Sequence, residues 1–238
     1  MGDMSWPKER APLTEEQSAI MEDWINEFLT TKSARFGWVS RFDHTFPSRS
    51  ASSELQTLEV GAGTGTHVQF EPVGEYVALE VSSQLAAQIP QRDRLSVVVA
   101  DCEKQLPWND DAFDRVLAIH VLEHLYNLPA ALEEIARVLR PGGILCVVIP
   151  CEGGRLYSLG RRFTTKRMFE KRYKTPYEWM IRQDHCNTAR EVLAELDRHF
   201  RVRTRMFFPL RVPAVDLNLV IGLELTPKSS DVRSRGGD

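Results

Sequence analysis

Cysteine is scarce in this chain, and the four present (Cys102, Cys146, Cys151 and Cys186) form no C-x-x-C pair. The simple reading is a reduced, cytoplasmic protein. Long apolar runs are missing too: the longest, Ile144 to Pro150, is far too short to cross a bilayer. Charges run through the first thirty residues, which argues against an N-terminal signal peptide. Met1-Gly2 invites a myristoylation reading, but Trp6 stands where that motif needs Ser or Thr. No internal repeat is visible. What remains is ordinary: 238 residues, 42% hydrophobic and 26% charged, enough for one α/β domain with a proper core.

Charge is unevenly spread. Between Arg155 and Arg211 stand fifteen Lys or Arg against six Asp or Glu, a local +9 inside a chain whose net charge is −3. The remainder is therefore at −12, so one segment is basic and the rest acidic.

Taken in order, residues 1–12 read as a disordered lead. Thr14 with Gln17 makes a capping box that predicts a helix from about Thr14 to Thr31, with Ile20, Trp24, Ile25, Phe28 and Leu29 on one stripe. Phe36, Trp38, Phe42 and Phe46 form an aromatic cluster, read as packing, with a pocket lid as the alternative. Residues 47–54 are a loop. From Gln56 strands alternate with helices. Strands are expected at 57–60, 76–81, 95–100, 115–120 and 144–149, with a brief helix at 83–89 and a longer one at 128–139 that Pro141-Gly142-Gly143 stops. Near-continuous apolar strands between helices indicate a parallel sheet covered on both faces. The alternation breaks after Pro150. Thr188 to Glu191 is a second capping box opening a helix to about His199, and strands at 200–208 and 217–225 follow as a pair. The expected organisation is an N-terminal helix and lead-in (1–54), one domain (55–227) with a cap insertion at about 151–187, and a disordered tail (228–238).

The chain is organised around Leu58-Glu-Val-Gly-Ala-Gly-Thr-Gly-Thr66. Alternating glycines straight after an apolar strand permit left-handed backbone and close approach of a ligand to main-chain N–H groups. Dinucleotide enzymes need G-x-G-x-x-G, and Thr66 occupies the third glycine's place. A ligand without phosphates fits better. Glu80, nineteen residues after Gly61, ends the second strand and can accept ribose hydroxyls. Asp101 with Cys102 ends the third, where a carboxylate can accept an adenine amino hydrogen or instead cap a turn. The fourth strand ends in Ile119-His120, within Phe113-Asp-Arg-Val-Leu-Ala-Ile-His-Val-Leu-Glu-His-Leu125.

Together with Pro107-Trp108 and Leu139-Arg-Pro-Gly-Gly143, these motifs resemble the class I S-adenosylmethionine-dependent methyltransferases of the small-molecule, methyltransferase-11-like kind. The match runs from Thr57 to about Pro150. The resemblance implies an α/β, Rossmann-like, doubly wound sheet of seven mostly parallel strands with the last antiparallel, and S-adenosyl-L-methionine as methyl donor. By the same carry-over, Glu59, Gly61, Ala62, Gly63, Gly65, Glu80, Val81, Asp101, Cys102, Ile119 and His120 match cofactor positions. Two departures stand out: the helix after the glycine loop is shorter than usual, and Glu80 replaces the commoner Asp.

A hydroxyl nucleophile profits from a general base, and His120 and His185 are the candidates. A competing use joins His120, Glu123, His124 and His185 into a divalent-metal set. Because L-E-H-L also occurs in relatives where it is structural, no metal is assigned. The chain has no Asn- or Asp-Pro-Pro-Tyr turn and no Pro-Cys pair after the fourth strand, which argues against DNA amino methylation and cysteine-mediated C5 attack. The segment Arg155–Lys174 holds eight basic residues and one acid, Glu170, interleaved with aromatics. Such a cap suits a small anionic acceptor, such as a phosphorylated or lipid-linked sugar, with weak membrane-surface contact as a further use. The expected reaction is O-methylation. RNA methylation and non-catalytic cofactor binding are the alternatives, and nucleic acid is disfavoured.

Overall fold

The computed structural model describes residues 5–35 and 37–228. Residues 1–4, Phe36 and the expected tail from residue 229 onward lie outside the described residues, as do the side chains of Phe28 and Leu29.

Five strands carry the parallel part of one sheet: β1 (Thr57–Val60), β2 (Tyr76–Glu80), β3 (Leu95–Val99), β4 (Phe113–Ile119) and β5 (Leu139–Pro150). Two more, β6 (Phe200–Phe208) and β7 (Val220–Pro227), complete it in the order β3-β2-β1-β4-β5-β7-β6. β7 runs antiparallel between β5 and β6. Chain order reverses between β1, which leads outward to β2 and β3, and β4, which leads the other way. The sheet is dry in its middle: Leu58, Val60, Val116, Ala118, Val147 and Ile149 join one apolar core with α4 (Leu128–Val138) and α8 (Ala189–His199). Ala78, Leu117 and Cys146 pack on the opposite face.

The expected elements form with shifted ends. α1 spans Glu15–Arg35, longer than predicted, and its capping box is made: Thr14 N–H donates to Gln17 Oε1 at 3.0 Å and Gln17 N–H to Thr14 Oγ1 at 3.1 Å. Thr188 and Glu191 cap α8 in the same reciprocal way. The glycine loop is followed only by a short 3-10 turn, Val68–Phe70. α4 ends at Val138, one residue before its expected end, and β5 begins at Leu139, which pairs with Phe113, so that Pro141-Gly142-Gly143 lies within the strand. Residues 5–12, expected to be disordered, lie against the domain. Lys8 N–H donates to the Tyr126 carbonyl at 2.7 Å, and Lys8 Nζ bonds Glu191 at 2.7 Å.

The aromatic lead-in forms a helix, α2 (Gly37–Thr45), that packs on the sheet. Phe42 and Phe46 are buried against Val148 and Val220. A side chain at Gly222 would lie 2.6 Å from the Phe46 ring, so glycine there lets α2 seat this closely. Beneath the lead-in a wholly buried arginine ties three segments together. Arg115 on β4 donates from Nη1 and Nη2 to the two carboxylate oxygens of Glu71 (2.7 and 3.1 Å), from Nη2 to the Pro47 carbonyl (2.6 Å), and from Nε to Ser50 Oγ (3.0 Å). His67 Nε2 meets Glu71 from the other side at 2.8 Å. Burial alone pushes the Glu71 carboxyl up, but the bonds from His67 and Arg115 outweigh it and hold it below its ordinary 4.5.

Removing one member of such a pair strands the other in the interior, so Arg115→Met is expected to cost about 3–5 kcal/mol, read from urea unfolding. Because the folded carboxyl titrates lower than the unfolded one, the stabilisation by Glu71 is complete above 4.5 and disappears as pH falls through the folded value. The urea midpoints of wild type and Glu71→Gln should therefore converge as pH falls below 4.5. A constant gap across that range would show that Glu71 is not held ionised.

Candidate active site

Pairing of Val60 with Ala118 in the parallel ladder of β1 and β4 sets the site. It brings the glycine loop after β1 and Ile119-His120 after β4 to the same level, at the carboxyl ends of the strands where chain order reverses. That crevice is where open α/β sheets bind ligands. Gly61, Gly63 and Gly65 all take left-handed backbone, with φ of 66°, 57° and 75°. They differ in what they face. A Cβ on Gly61 would lie 2.4 Å from Val121 Cγ2, whereas a Cβ on Gly63 would meet nothing within 4 Å. Gly61 is therefore there for packing, and Gly63 opens onto free space. Ala62 is buried under the loop.

Glu80 ends β2 beside this opening. Its Oε2 accepts the Gly63 N–H at 2.8 Å and its Oε1 the Ser82 N–H at 2.9 Å. Each oxygen keeps acceptor capacity for a ligand hydroxyl. Val81, the next residue, is exposed at the mouth. Asp101 follows β3 on the same edge; its Oδ1 accepts the Glu103 N–H at 3.0 Å, closing a turn, and its carboxylate stays partly open to solvent. The neighbouring Cys102 is buried. Burial, with Asp101 next to it, pushes the thiol up to about 12, so it stays protonated. Glu59 is placed differently from the rest. Its carboxylate is 3% exposed, accepts from Tyr76 Oη at 2.8 Å, and is pushed up by burial. It lies within the sheet below the loop rather than at its mouth.

His120 sits just past β4 with φ of 53°, a conformation uncommon outside glycine. Its main-chain N–H donates to the Val148 carbonyl at 2.8 Å, which pins the turn. Asp43 of α2, fully buried, lies 3.0 Å from its Nε2, and Glu123 Oε1 lies 3.4 Å from its Nδ1. His185 ends α7 (Glu178–Asp184) and is turned to another acid: its Nδ1 meets Glu152 Oε2 at 2.9 Å, and Arg161 of α5 (Arg155–Phe163) grips the same oxygen. The two histidines are thus not equivalent. His124 links them, since its ring stands T-shaped against that of His185 at 4.8 Å between centroids. Its Nδ1 bonds the Asp184 carbonyl at 2.6 Å and lies 3.1 Å from Asp184 Oδ1. Burial opposes charge on His124, but Asp184 overrides it and raises the imidazole to about 10. Asp184, pushed up by burial, is drawn down to about 2 by the same partner.

Asp43, Glu152 and Asp184 are absent from the sequence-based list of site residues. Asp43 left one trace, a lone acid in the aromatic run Phe42-Asp-His-Thr-Phe46; Glu152 and Asp184 left none, because their partners lie far away in the chain.

Residues 58–147 match the profile of a family described as a methyltransferase domain. A sterol 4-C-methyltransferase of Caenorhabditis elegans is 41% identical over 109 residues, which cover 42% of this chain and 32% of that protein. The chain also spans less than two thirds of the length of other curated relatives it matches. Among solved structures, an S-adenosylmethionine-dependent methyltransferase of Thermotoga maritima superposes with a TM-score of 0.59 at 19% identity, covering 88% of this chain and 99% of that one. The [4+2]-cyclase SpnF superposes with a TM-score of 0.64 at 18% identity, over 94% of this chain and 100% of that one. The solved structures speak to the fold, while the matched profile covers the stretch from β1 to β5 that builds the crevice. Residues 58–147 are thus similar to a methyltransferase domain, and the chain shares the fold of a solved S-adenosylmethionine-dependent methyltransferase.

Proposed function

We propose that this protein transfers a methyl group from S-adenosylmethionine to an oxygen of a small anionic acceptor, and that residues 55–227, with the cap at 151–187, are the catalytic unit. The observation that carries the reading is the open, left-handed Gly63, its N–H on Glu80, at the level of His120 across one strand pairing. The residues present fit the donor. The main chain of Gly61 to Gly65 offers a cradle, Glu80 and Val81 the rim, Asp101 and Cys102 the far end, and Ile119-His120 the near wall. When bound, the donor supplies a carbon already activated by its sulfonium, so the protein's part is alignment and proton removal. His120 is the base in this reading. Asp43 stands 3.0 Å from Nε2 and Glu123 3.4 Å from Nδ1, so both acids favour the protonated ring that proton removal creates.

The cap gives the acceptor its charge preference from outside the crevice. Arg161, Lys166 and Arg172 are spent on Glu152, on Glu170 and Glu178, and on Asp23 and Glu27. Arg155, Arg162, Arg167, Lys171 and Lys174 are exposed and have no ion-pair partner among the described residues. Leu159 and Phe163 stand one turn apart on α5, 52% and 66% exposed. Apolar side chains framed by unpaired cations suit an anionic lipid surface, which favours an acceptor presented from a membrane over a free anion.

Each of these readings has a measurable outcome. S-adenosylhomocysteine should raise the melting midpoint of wild type, and NAD should not. Gly63→Ala should stay folded, at a cost of about 1–2 kcal/mol for its left-handed backbone, and lose the shift. Gly61→Ala should lose the fold itself through collision with Val121. An unchanged shift in Gly63→Ala would remove the cradle from the argument. With an acceptor found by screening pooled metabolites and glycan precursors, His120→Ala should lower kcat about 10²–10⁴-fold while the midpoint shift survives. Full turnover in that variant would end the base assignment. Co-sedimentation with phosphatidylserine-containing vesicles, but not with pure phosphatidylcholine, should vanish in Phe163→Glu; equal recovery with both lipids would refute the surface reading.

A further inference from the structure

Beside His120 lies a second cluster that proton transfer does not use. Glu123, His124 and His185 each bring one donor atom to a common point, all within 4.8 Å of one another. Two donors on one ion with bonds of about 2.0–2.2 Å stand at most about 4.4 Å apart. Small side-chain movements therefore close the set around a cation.

The arrangement of the remaining atoms has the character of a prepared site. Glu123 is 2% exposed, yet its Oε2 is buried with no hydrogen-bond partner. An ionised carboxylate oxygen left without a partner in the interior is costly, and a cation would satisfy it. Each imidazole is already oriented from behind. Asp184 engages Nδ1 of His124, and Glu152 engages Nδ1 of His185, itself fixed by Arg161. In both rings this places a proton on Nδ1 and turns Nε2 to the cluster, where a cation would bind in place of any proton held there. His124 Nε2 lies 3.7 Å from Glu123 Oε1. A carboxylate behind each ligating histidine is the usual support of a metal-bound imidazole. Charge points the same way: the four acids Glu123, Asp184, Glu152 and Asp43 gather here, with Arg161 on Glu152 and Arg10 near Asp184 as the arginines that reach them among the described residues. Cys186, next in the chain, stays outside the set. Its thiol is turned to the Glu123 and Leu125 carbonyls, to which it donates.

We propose that Glu123, His124 and His185 bind one divalent cation of the imidazole-preferring class, such as Zn²⁺ or Co²⁺, with Asp184 and Glu152 as positioning residues. Two imidazoles and one carboxylate leave coordination positions open. Glu123 stands beside His120, so those positions adjoin the proposed methyl-transfer centre. A hydroxyl or phosphate oxygen of the acceptor bound there would be fixed in place and, if a hydroxyl, acidified. Only this use of the ion rests on the proposed function; the binding rests on the donor set.

The test is equilibrium dialysis of chelator-treated full-length protein against Zn²⁺, with Co²⁺ visible absorption as a report on ligand geometry. About one Zn²⁺ per chain is expected, with weaker retention of Mg²⁺, which prefers oxygen donors. His124→Ala and His185→Ala should each abolish stoichiometric binding, and Asp184→Asn should weaken it about 10–100-fold. Each variant is first checked for a wild-type circular dichroism spectrum and S-adenosylhomocysteine melting shift, so that lost folding is not read as a lost ligand. His185→Ala, at the part-exposed end of α7, is the safeguard if Glu123→Gln or His124→Ala fails to fold. No uptake by wild type, uptake unaltered in both histidine variants, or a preference for Mg²⁺ would each overturn the assignment. Zn²⁺ uptake without an S-adenosylhomocysteine shift would keep the ion and remove the methyl-donor reading; the reverse would remove the ion alone.

Discussion

Everything at the site descends from one ladder, the parallel pairing of β1 with β4. Val60 opposite Ala118 decides that a bare glycine loop and a histidine, 59 positions of chain apart, end at the same height. Slip that register by one residue and every side chain of the strand changes face. The pairing cannot slip, because both faces are already committed. Leu58, Val60, Val116 and Ala118 are wholly buried on one side, and Leu117 on the other. Position in the crevice is thus a by-product of burial, with no local contact between loop and histidine required beyond the packing of Val121 on Gly61.

The second constraint comes from outside the matched domain. α2 contributes Asp43 to the site, and α2 is seated by Phe42 and Phe46 on a sheet that has a glycine where the Phe46 ring needs room. The loop after it is held by Arg115, whose fork reaches Glu71, Pro47 and Ser50 at once. A buried guanidinium that satisfies its donors on three separate segments is a poor source of net stability but a strong source of uniqueness, since any other docking of the lead-in strands the charge. The lead-in therefore acts as a fixed wall of the crevice. This differs from the pocket-lid alternative in the sequence reading.

What could be read from the chain follows from the range over which each signal acts. Strand runs, the two capping boxes and the glycine turn are local, and their elements appear within a few residues of where periodicity puts them. The helix α4 ends one residue from its expected end, whereas β5 starts five residues early, because Leu139 pairs with Phe113 and draws the Pro-Gly-Gly stretch into the strand. The lead of residues 5–12 read as disordered because its partners, Tyr126, Cys186 and Glu191, are more than a hundred residues away. For the same reason the sequence offered His120 and His185 as alternatives for one role. Their acids, Asp43 and Glu152, come from α2 and from the turn after β5, and only the folded chain shows that each histidine has its own.

That division of labour is the last step. A sheet of this topology offers a ligand one edge and says nothing of an acceptor. In the proposed reaction the acceptor side would be built from two elements outside the parallel core, α2 and the cap, and both bring carboxylates to histidines. The cap brings its arginines as well, but Arg161 reaches inward and is neutralised by Glu152, while Arg155, Arg162 and Arg167, without an ion-pair partner among the described residues, are exposed. An anionic acceptor drawn to the outer surface of the cap would then meet, at the crevice, a pocket rich in carboxylates. Those two fields conflict unless a positive charge stands between them. The donor's sulfonium is one such charge, and a cation on Glu123 would be the other; together they give an acidic interior a reason to sit beneath a basic cap.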